Sequence, residues 1–445
     1  MNIFARNLAY LNQIVPATDA ELAQHTGGTQ PTINRLRNGK TKKPNIQLVE
    51  KLAAFYGVSV KDLLETDLGA ARTVDPCLPL EEEQTMSLEE KLLPHRNAID
   101  SIDAEILKLL NQRAGHAHTI GELKGTGTVY RPEREAAVLR RIQALNEGPL
   151  PDEAVARLFR EIMSECLAVE RPLTIAYLGP QGTFTQQAAI KHFGHAARTQ
   201  PCITVDDCFK LVETRQADYL VAPVENSTEG SVGRTLDLLA VSALKACGEV
   251  VVRVHHNLMR KGSNDIGGIT KVFAHAQALA QCNDWLGRHL PQAERISVSS
   301  NAEAARMVAE SGEASWAAIA GITAAEIYRL DIAAECIEDE PNNTTRFLVL
   351  GHQDTDSTGS DKTSLVISTP NRAGAVMGLL QPFTDLGISM TKFESRPGKA
   401  SLWEYLFFID IEGHQNDAKV QQALKLLGER ASFVKIIGSY PTAIL

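Results

Sequence analysis

The sequence predicts a multidomain chain that is all-α in its first part, α/β in its middle and α+β at its end. Apolar residues recur at helical spacing up to about residue 170, and short apolar strands then alternate with helical stretches up to about residue 351. The last part reads strand, helix, strand, strand, helix, strand, the order of a ferredoxin-like unit. A chain of 445 residues is too long for one core, and its length alone predicts about three domains.

Changes in composition predict the domain boundaries. We expect a head at residues 1–66, a linker at 67–87, a helical block at 88–172, an α/β block at 173–351, a second linker at 352–362 and a tail at 363–445. The first linker is acidic, with eight acids and one base between Glu65 and Glu90. Such a composition is typical of a segment between domains.

The overall composition is that of a globular protein, with 44% apolar and 22% charged residues. A net charge of −9 argues against a nucleic-acid binder as a whole but allows a local basic patch. We see no signal peptide and no stretch near the ~20 apolar residues that span a bilayer. Seven cysteines without a CxxC pair fit reduced thiols, so we expect a cytoplasmic protein.

The head has the pattern of two helices joined by a Gly-Gly turn. We predict a short helix at residues 20–25 and a second at 30–37, with Ile33 and Leu36 facing inward. Five of the nine residues from 35 to 43 are cationic and none is acidic. Such a cluster neutralises phosphates while polar side chains of the second helix reach base edges in the major groove.

The head closely resembles the repressor-type helix-turn-helix family, which implies DNA binding. The expected DNA-contacting residues are Gln30, Thr32, Asn34, Arg35, Arg37, Lys40, Lys42 and Lys43. The alternative is a helical module retained for packing or dimerisation, without DNA contacts.

In the helical block, cationic residues fall on a common helix face. Arg113 and Lys124 are 11 residues apart, about three turns, so both point the same way. Arg96 lies 17 residues before Arg113 and points about 100° away, so any pocket it serves would belong to a partner chain. Cations that converge inside a bundle are costly unless they meet an anion. Solvated helix faces are the alternative.

The helical block resembles the all-helical chorismate mutase family, which implies an intertwined dimer. By this resemblance Arg96 crosses into the neighbouring site, and with Arg113 it holds the two carboxylates of chorismate. Lys124 hydrogen-bonds the ether oxygen, where negative charge develops as the C–O bond breaks. Glu135 orients the ring hydroxyl. The remaining expected site residues are Arg134, Cys166 and Glu170.

Three positions depart from the commonest pattern of that family. Arg131 stands where an acid is frequent, Cys166 where a serine is frequent, and Glu170 where a glutamine donates to the ether oxygen. A carboxylate cannot donate a hydrogen bond, so only protonated Glu170 can replace the glutamine. We therefore expect mutase activity to rise as the pH falls.

Three polar segments follow apolar runs in the α/β block. They are LGPQGTFT at residues 178–185, PVENSTEGS at 223–231 and NNTTRF at 342–347. In open α/β sheets, loops at strand ends hold ligands. Their hydroxyls, amides, one carboxylate (Glu225) and one guanidinium (Arg346) suit acid-assisted elimination from a small polyanion better than hydrolysis. Ordinary surface turns are the alternative.

Residues 173–351 resemble the prephenate dehydratase family. The resemblance rests on the motifs GPQGTFT, ENST and TTRF, and on a His-x-Gln segment in which Ala276 replaces the usual proline. The resemblance implies two lobes similar to periplasmic binding proteins, with the active site in the cleft. It makes Thr345 the donor to the leaving hydroxide, and Arg346 suits a carboxylate clamp. The expected orienting residues are Thr183, Glu225, Asn226, Ser227 and Gln277.

Neither reaction needs redox chemistry or an electron sink, so we expect no cofactor and no metal. The adjacent histidines His255 and His256 invite a metal interpretation. However, no carboxylate or cysteine lies at ligand spacing near them in the sequence, so we predict a structural role.

The tail resembles the ACT regulatory domain family. In that family two segments form a phenylalanine site at a subunit interface. The matching residues here are Gly374, Ala375, Val376, Met377, Glu394, Ser395, Arg396 and Pro397. Gly374 has no Cβ and would let the helix start approach the ligand closely.

Together these resemblances predict an enzyme that converts chorismate through prephenate to phenylpyruvate and is inhibited by phenylalanine. We expect a homodimer or a higher homo-oligomer. Two alternatives remain open: a phenylalanine-responsive DNA-binding regulator built on this enzyme body, and a dehydratase with an inactive mutase block.

Overall fold

The computed structural model describes residues 2–41, 44–69, 87–125, 130–369, 372–398 and 405–443. The chain forms two compact units, Met1–Asn97 and Ala98–Leu445, which are described separately. Most of the predicted acidic linker, at residues 70–86, lies outside the described residues. Among the helices that are described, none combines the length and the apolar character needed to cross a membrane.

The described part of the head is all-α, as predicted. Its helices are α1 (Ile3–Ile14), α2 (Asp19–Thr26), α3 (Gln30–Arg37), α4 (Ile46–Tyr56) and α5 (Val60–Glu65). Helix α2 begins in a capping box between Thr18 and Glu21 and ends at Gly27, whose φ of +67° suits glycine. Ile33 and Leu36 are 1% and 2% exposed, which confirms the predicted inward face of α3.

Three helices form the next block: α6 (Leu88–Lys124), α7 (Pro132–Leu145) and α8 (Asp152–Glu170). Pro132 opens α7, where its missing N–H removes no helical hydrogen bond. On α6, Ile99, Ile102, Ile106 and Leu109 recur on one side of the helix and remain between 47% and 56% exposed.

Two sheets form the α/β block, as predicted. The strands are β1 (Thr174–Leu178), β2 (Arg198–Cys202), β3 (Tyr219–Asn226), β4 (Gly230–Ser231), β5 (Lys245–Arg253), β6 (Asn257–Arg260), β7 (Lys271–His275), β8 (Glu294–Val298), β9 (Trp316–Ala320), β10 (Asp331–Ala334) and β11 (Thr344–Gly351). The helices are α9 (Phe184–Phe193), α10 (Val205–Glu213), α11 (Gly233–Val241), α12 (Ala276–Gln281), α13 (Asn283–His289), α14 (Asn301–Ser311) and α15 (Ile322–Tyr328).

The strand order shows how the two lobes arise. The first sheet has the order β2-β1-β3-β11-β5, with β4 paired to β3, and the second has the order β10-β6-β9-β7-β8. The chain leaves the first sheet after β5 and returns to it in β11, antiparallel to both β3 and β5. This double crossing builds the predicted two-lobed architecture.

The tail contains β12 (Asp361–Thr369), α16 (Ala375–Asp385), β13 (Met390–Pro397), β14 (Tyr405–Glu412), α17 (Ala418–Arg430) and β15 (Phe433–Pro441). Its antiparallel sheet has the order β13-β14-β12-β15, which confirms the predicted ferredoxin-like element order. Strand β15 packs beside β5 of the first lobe, and a Cβ on Gly438 would overlap the carbonyl of Ala246. Glycine at this position therefore allows the tail sheet to approach the first lobe closely.

Candidate active sites

Helices α6, α7 and α8 line a cavity of about 810 Å³. Six residues predicted from the sequence lie together in its wall: Arg113 and Lys124 of α6, Arg134 and Glu135 of α7, and Cys166 and Glu170 of α8. The Nη1 of Arg113 also donates to the carbonyl of Ile162 at 3.4 Å. Arg96 is exposed and lies in the first compact unit.

Glu135 is a largely buried carboxylate of this cavity wall, with a side chain 15% exposed. Burial raises its pKa to about 6, although the nearby guanidinium of Arg160 opposes the shift. The Nε of Arg160 lies 3.5 Å from the Glu135 carboxylate. Sequence reasoning missed Arg160, which also lies in the wall of this cavity.

Glu170 packs against the backbone of α6. A Cβ on Gly121 would lie 2.3 Å from the Cγ of Glu170, so only glycine admits this side chain. The Oε1 of Glu170 is buried and has no hydrogen-bond partner among the described residues. A buried polar atom without a hydrogen-bond partner costs free energy unless a ligand contacts it. This position fits a carboxyl group that contacts a substrate oxygen.

Replacing Glu170 with glutamine should change the pH dependence of the mutase. A Glu170 carboxylate cannot donate to the ether oxygen, so only its protonated form can support the reaction in the wild type. The Glu170→Gln variant donates at every pH, so its activity at pH 8 should exceed that of the wild type. The remaining titration should come from Glu135, with activity rising through about pH 6 as its carboxylate forms. Initial rates of chorismate consumption across this range measure both effects.

A flat wild-type profile that is unchanged in Glu170→Gln would contradict this role of Glu170. Glu165→Gln is a suitable control, since Glu165 lies on the same helix with an exposed side chain. This variant should reproduce the wild-type profile.

The segment between the α/β block and the tail also reaches the cavity. Ser357 and Thr358 belong to its wall. Arg140 of α7 donates to the Thr358 hydroxyl at 2.9 Å and to the Ser360 carbonyl at 2.9 Å, which fixes this segment against the helical block.

A second group of predicted residues lies where β3 and β11 pair. Register places Thr345 opposite Asn226, and the Asn226 Nδ2 donates to the Thr345 hydroxyl at 2.9 Å. The same Nδ2 lies 2.9 Å from the Oδ1 of Asn343. Because the Thr345 oxygen accepts from Asn226, its own proton is free to be donated to a ligand.

Asn343 connects this group to the second lobe. It is 4% exposed, and its Nδ2 donates to Gln281 at the end of α12 at 3.3 Å. The same Gln281 oxygen lies 2.8 Å from the Nε2 of His256. Sequence reasoning did not select Asn343 or Gln281, although Asn343 lies within the NNTTRF segment.

The other predicted orienting residues occupy less direct positions. Thr183 caps α9, and its hydroxyl donates to the carbonyl of Leu178 at 3.1 Å. The Ser227 hydroxyl accepts from the backbone N–H of Thr344 at 2.9 Å. Gln277 is half-buried on α12 in the second lobe.

Arg346 is the clearest departure from expectation, because it points away from Thr345. Adjacent residues of a strand face opposite sides of the sheet. The guanidinium lies 2.8 Å from Glu249, 2.5 Å from Asp410 and 2.8 Å from the hydroxyl of Tyr440. Arg346 therefore does not lie in the same cleft as the Thr345 hydroxyl. The predicted carboxylate clamp at that site is not observed.

The histidine pair has neighbours that the sequence did not suggest. The Nδ1 of His255 lies 2.8 Å from the carboxylate of Glu338 and 3.4 Å from the thiol of Cys336. No carboxylate or cysteine lies at ligand spacing in the sequence, but the fold brings both to His255 from more than 80 residues further along the chain. His256 is buried, and burial lowers its pKa, which fits the predicted structural role.

The predicted phenylalanine segments lie on two elements of the tail. Gly374 precedes α16 with a φ of +76°, and the side chains of Val376 and Met377 that follow are 36% and 72% exposed. The second segment, at residues 394–397, lies on the edge strand β13. There the Nη2 of Arg396 is 3.3 Å from the carboxylate of Asp237 on α11.

In the head, Gln30, Thr32, Asn34, Arg35 and Lys40 are exposed on or just after α3. Lys42 and Lys43 lie outside the described residues.

Arg37 differs from the other predicted DNA contacts. Its guanidinium lies 2.8 Å from Asp19 and donates to the carbonyl of Ala17 at 2.8 Å. It therefore holds α3 against α2, and the expectation that it faces DNA is corrected.

Comparison with known protein families finds four matches along the chain, in the order in which the sequence predicted the domains. Residues 17–68 match the Cro/C1-type HTH DNA-binding domain, 95–171 chorismate mutase type II, 175–355 prephenate dehydratase and 363–428 the ACT domain. The bifunctional chorismate mutase/prephenate dehydratase of Neisseria gonorrhoeae is 79% identical over 361 residues, which cover 81% of this chain and 100% of that protein.

Two solved structures are also similar. The prephenate dehydratase of Arthrobacter aurescens, in complex with L-Phe, has 35% identity and a TM-score of 0.56, covering 60% of this chain and 90% of that one. GqqA, described as a quorum-quenching acylase, has 27% identity and a TM-score of 0.56, covering 61% of this chain and 98% of that one.

Proposed function

Because the chain belongs to the family of bifunctional chorismate mutase/prephenate dehydratases, we propose that its helical cavity and its interlobe cleft carry the two reactions of that family. The chain rearranges chorismate to prephenate, and it removes the carboxylate and ring hydroxyl of prephenate to give phenylpyruvate. The assignment of each reaction to its site residues is our proposal.

In the helical cavity, a cationic wall binds the dianionic substrate. Arg113 binds one carboxylate of chorismate, with Arg134 in the same wall, and Lys124 and protonated Glu170 donate to the ether oxygen as its charge develops. Glu135 accepts from the ring hydroxyl. The convergence of these residues from three helices on one cavity is the observation that supports this assignment.

Arg96 completes this site from a partner chain in our proposal, which requires a homodimer. Support comes from α6, where isoleucines 99, 102 and 106 form an exposed apolar row. Exposed apolar patches of this kind mark protein interfaces. Sedimentation of the purified chain tests this, and a monomer at assay concentration would exclude it.

In the cleft, Thr345 assists departure of hydroxide while carbon dioxide is lost and the ring becomes aromatic. The hydrogen bond from Asn226 to the Thr345 oxygen supports this assignment, because it leaves the hydroxyl proton available for donation to the substrate. Separate assays of chorismate consumption and phenylpyruvate formation test the two activities. Absence of the first with retention of the second would identify an inactive mutase block.

We further propose that phenylalanine inhibits the chain through the tail. The tail matches the ACT domain family, and a similar prephenate dehydratase was solved in complex with L-Phe. A ligand of this kind acts by preferring one conformational or quaternary state over another. We also propose a cytoplasmic location, which the six unpaired cysteines among the described residues support.

A second function, DNA binding by the head, is favoured by the exposed polar and cationic face of α3. The Arg35→Gln variant should weaken binding of labelled DNA from upstream of the chain's own coding sequence, and should reduce the salt slope by about one. Titrations with upstream and random DNA, at low and physiological salt, measure this.

Lys61→Gln is the matched control for Arg35→Gln, since Lys61 is exposed on α5 of the same head. Equal affinity for upstream and random DNA at physiological salt would leave the head as a packing module.

A further inference from the structure

Two short crossover segments carry the chain between the lobes of the α/β block. The first, residues 254–256, joins β5 to β6, and the second, residues 335–343, joins β10 to β11. The backbone N–H of Ile337 donates to the carbonyl of His256 at 2.8 Å, so the two segments lie side by side. A histidine of the first segment there meets a cysteine and a glutamate of the second.

The three side chains of this cluster are His255, Cys336 and Glu338. The Nδ1 of His255 lies 2.8 Å from the Oε1 of Glu338 and 3.4 Å from the Sγ of Cys336. All three candidate ligand atoms lie within 4.8 Å of one another. A tetrahedral zinc ion with bonds of about 2.0 to 2.3 Å keeps its ligand atoms about 3 to 4 Å apart. The cluster therefore needs only small side-chain movements to surround such an ion.

Hydrogen bonds outside the cluster orient its members. The Oε2 of Glu338 accepts from the backbone N–H of His256 at 2.9 Å, which leaves Oε1 directed at His255. The Oδ1 of Asn257 accepts from the backbone N–H of Cys336 at 3.1 Å. Outer hydrogen bonds of this kind hold metal ligands in place.

The cluster is buried on one side and open on the other. The side chain of Glu338 is 3% exposed, whereas that of His255 is 40% exposed. Both His255 and Cys336 line a cavity of about 170 Å³, together with the exposed residue Glu335. Zinc sites with three protein ligands bind water or another small ligand in the fourth position, and this cavity provides room for one.

We propose that His255, Cys336 and Glu338 form a zinc site that joins the two crossover segments. An imidazole, a thiolate and a carboxylate together favour Zn²⁺ over Mg²⁺ and Ca²⁺, which take oxygen ligands. Cys336 binds as the thiolate and releases its proton to solvent. None of the three ligands belongs to the residues proposed above for catalysis, and the site replaces the structural role that the sequence predicted for His255.

Such an ion would act on the relation between the two lobes. The chain passes from one lobe to the other only at these two segments, all of which are described. Zinc bound to His255 on one side and to Cys336 and Glu338 on the other links the segments through metal bonds. The lobes are then held more firmly in one relative orientation.

Zinc binding by the purified full chain tests the proposal. The protein is freed of metal with a chelator and titrated with Zn²⁺ in a calorimeter, and the wild type should bind one ion at this site. In Cys336→Ser and in His255→Gln the affinity of the site should fall by about 100-fold or more, because each variant loses a direct ligand rather than an outer partner. The metal-free variants should melt at the wild-type temperature, which shows that they are folded.

Co²⁺ provides a second measurement of the same site, since a thiolate bound to Co²⁺ gives a strong charge-transfer absorption. This absorption should appear in the wild type and be absent from Cys336→Ser. His195→Gln is the matched control, because the Nδ1 of His195 lies 2.9 Å from the carboxylate of Glu161 in another histidine–carboxylate pair. It should bind both metals as the wild type does.

Amide hydrogen exchange measures whether the ion joins the segments. At free zinc 100 times above the Kd, opening that releases the ion should slow about 100-fold in both crossover segments of the wild type. Cys336→Ser should show no such protection.

Equal zinc affinity in the wild type and Cys336→Ser would overturn the proposal and leave His255 and Glu338 as an ordinary ion pair. Protection of one segment alone would overturn the link between the lobes. Neither result depends on chorismate or prephenate turnover, so the site is tested separately from the proposed function.

Discussion

Replacing Thr345 with valine should reduce dehydratase turnover by about 10²- to 10³-fold, in the range typical for loss of a positioned proton donor. Valine has the shape of threonine and suits a strand, so β11 should keep its pairing with β3 and β5. The hydroxyl lost is the one that accepts from Asn226 and that, in our proposal, donates to the leaving group. Steady-state formation of phenylpyruvate from prephenate measures the effect.

Thr344→Val is the matched control for this experiment. Thr344 is the preceding residue of the same strand, so its side chain faces the other side of the sheet. This variant should retain dehydratase activity, and both variants should consume chorismate at the wild-type rate. A Thr345→Val enzyme within a few-fold of wild type would remove Thr345 from the proposed mechanism.

Replacing Lys124 with methionine should reduce mutase activity by about 10²- to 10³-fold, the usual cost of deleting one donor to a developing negative charge. Lys124 is the last residue of α6 and lies in the wall of the cavity. Methionine keeps the helix propensity and most of the length of lysine. Chorismate consumption measures the loss, and phenylpyruvate formation from prephenate should not change.

Lys108→Met provides the comparison on the same helix, since Lys108 is exposed and outside the described wall of the cavity. It should consume chorismate at the wild-type rate. Equal losses in the two variants would indicate damage to α6 rather than removal of a catalytic group.

The sequence predicted best what depends on local periodicity and on strand-end motifs. The inward face of α3 follows from helical spacing. The ENST motif ends β3 at Asn226 as expected, whereas the TTRF motif opens β11 instead of following a strand. The order of helices and strands in the tail was also predicted from the sequence. In each case the signal lies within a few residues of the feature that it predicts.

The predictions that failed concern the direction in which a side chain points, or its contacts with residues distant in the sequence. Arg346 was grouped with Thr345 because the two are adjacent, although strand alternation already separates them. Arg37 carries charge on a cationic segment, but Asp19 binds it at 2.8 Å. The contact of His255 with Glu338 spans 83 positions and leaves no local pattern in the sequence.

The contact of Ser357 and Thr358 with the helical cavity limits how far this chain is modular. A fusion of independent enzymes would allow each part to be exchanged or deleted without loss to the others. Here the connector to the tail forms part of the wall of the helical cavity, the proposed mutase site, and Arg140 holds it there. Truncation after Gly351, an obvious way to remove the tail, would therefore remove part of the wall of a cavity whose helical residues lie more than 180 positions earlier in the chain. The domains are consecutive in sequence, but they are not separable parts.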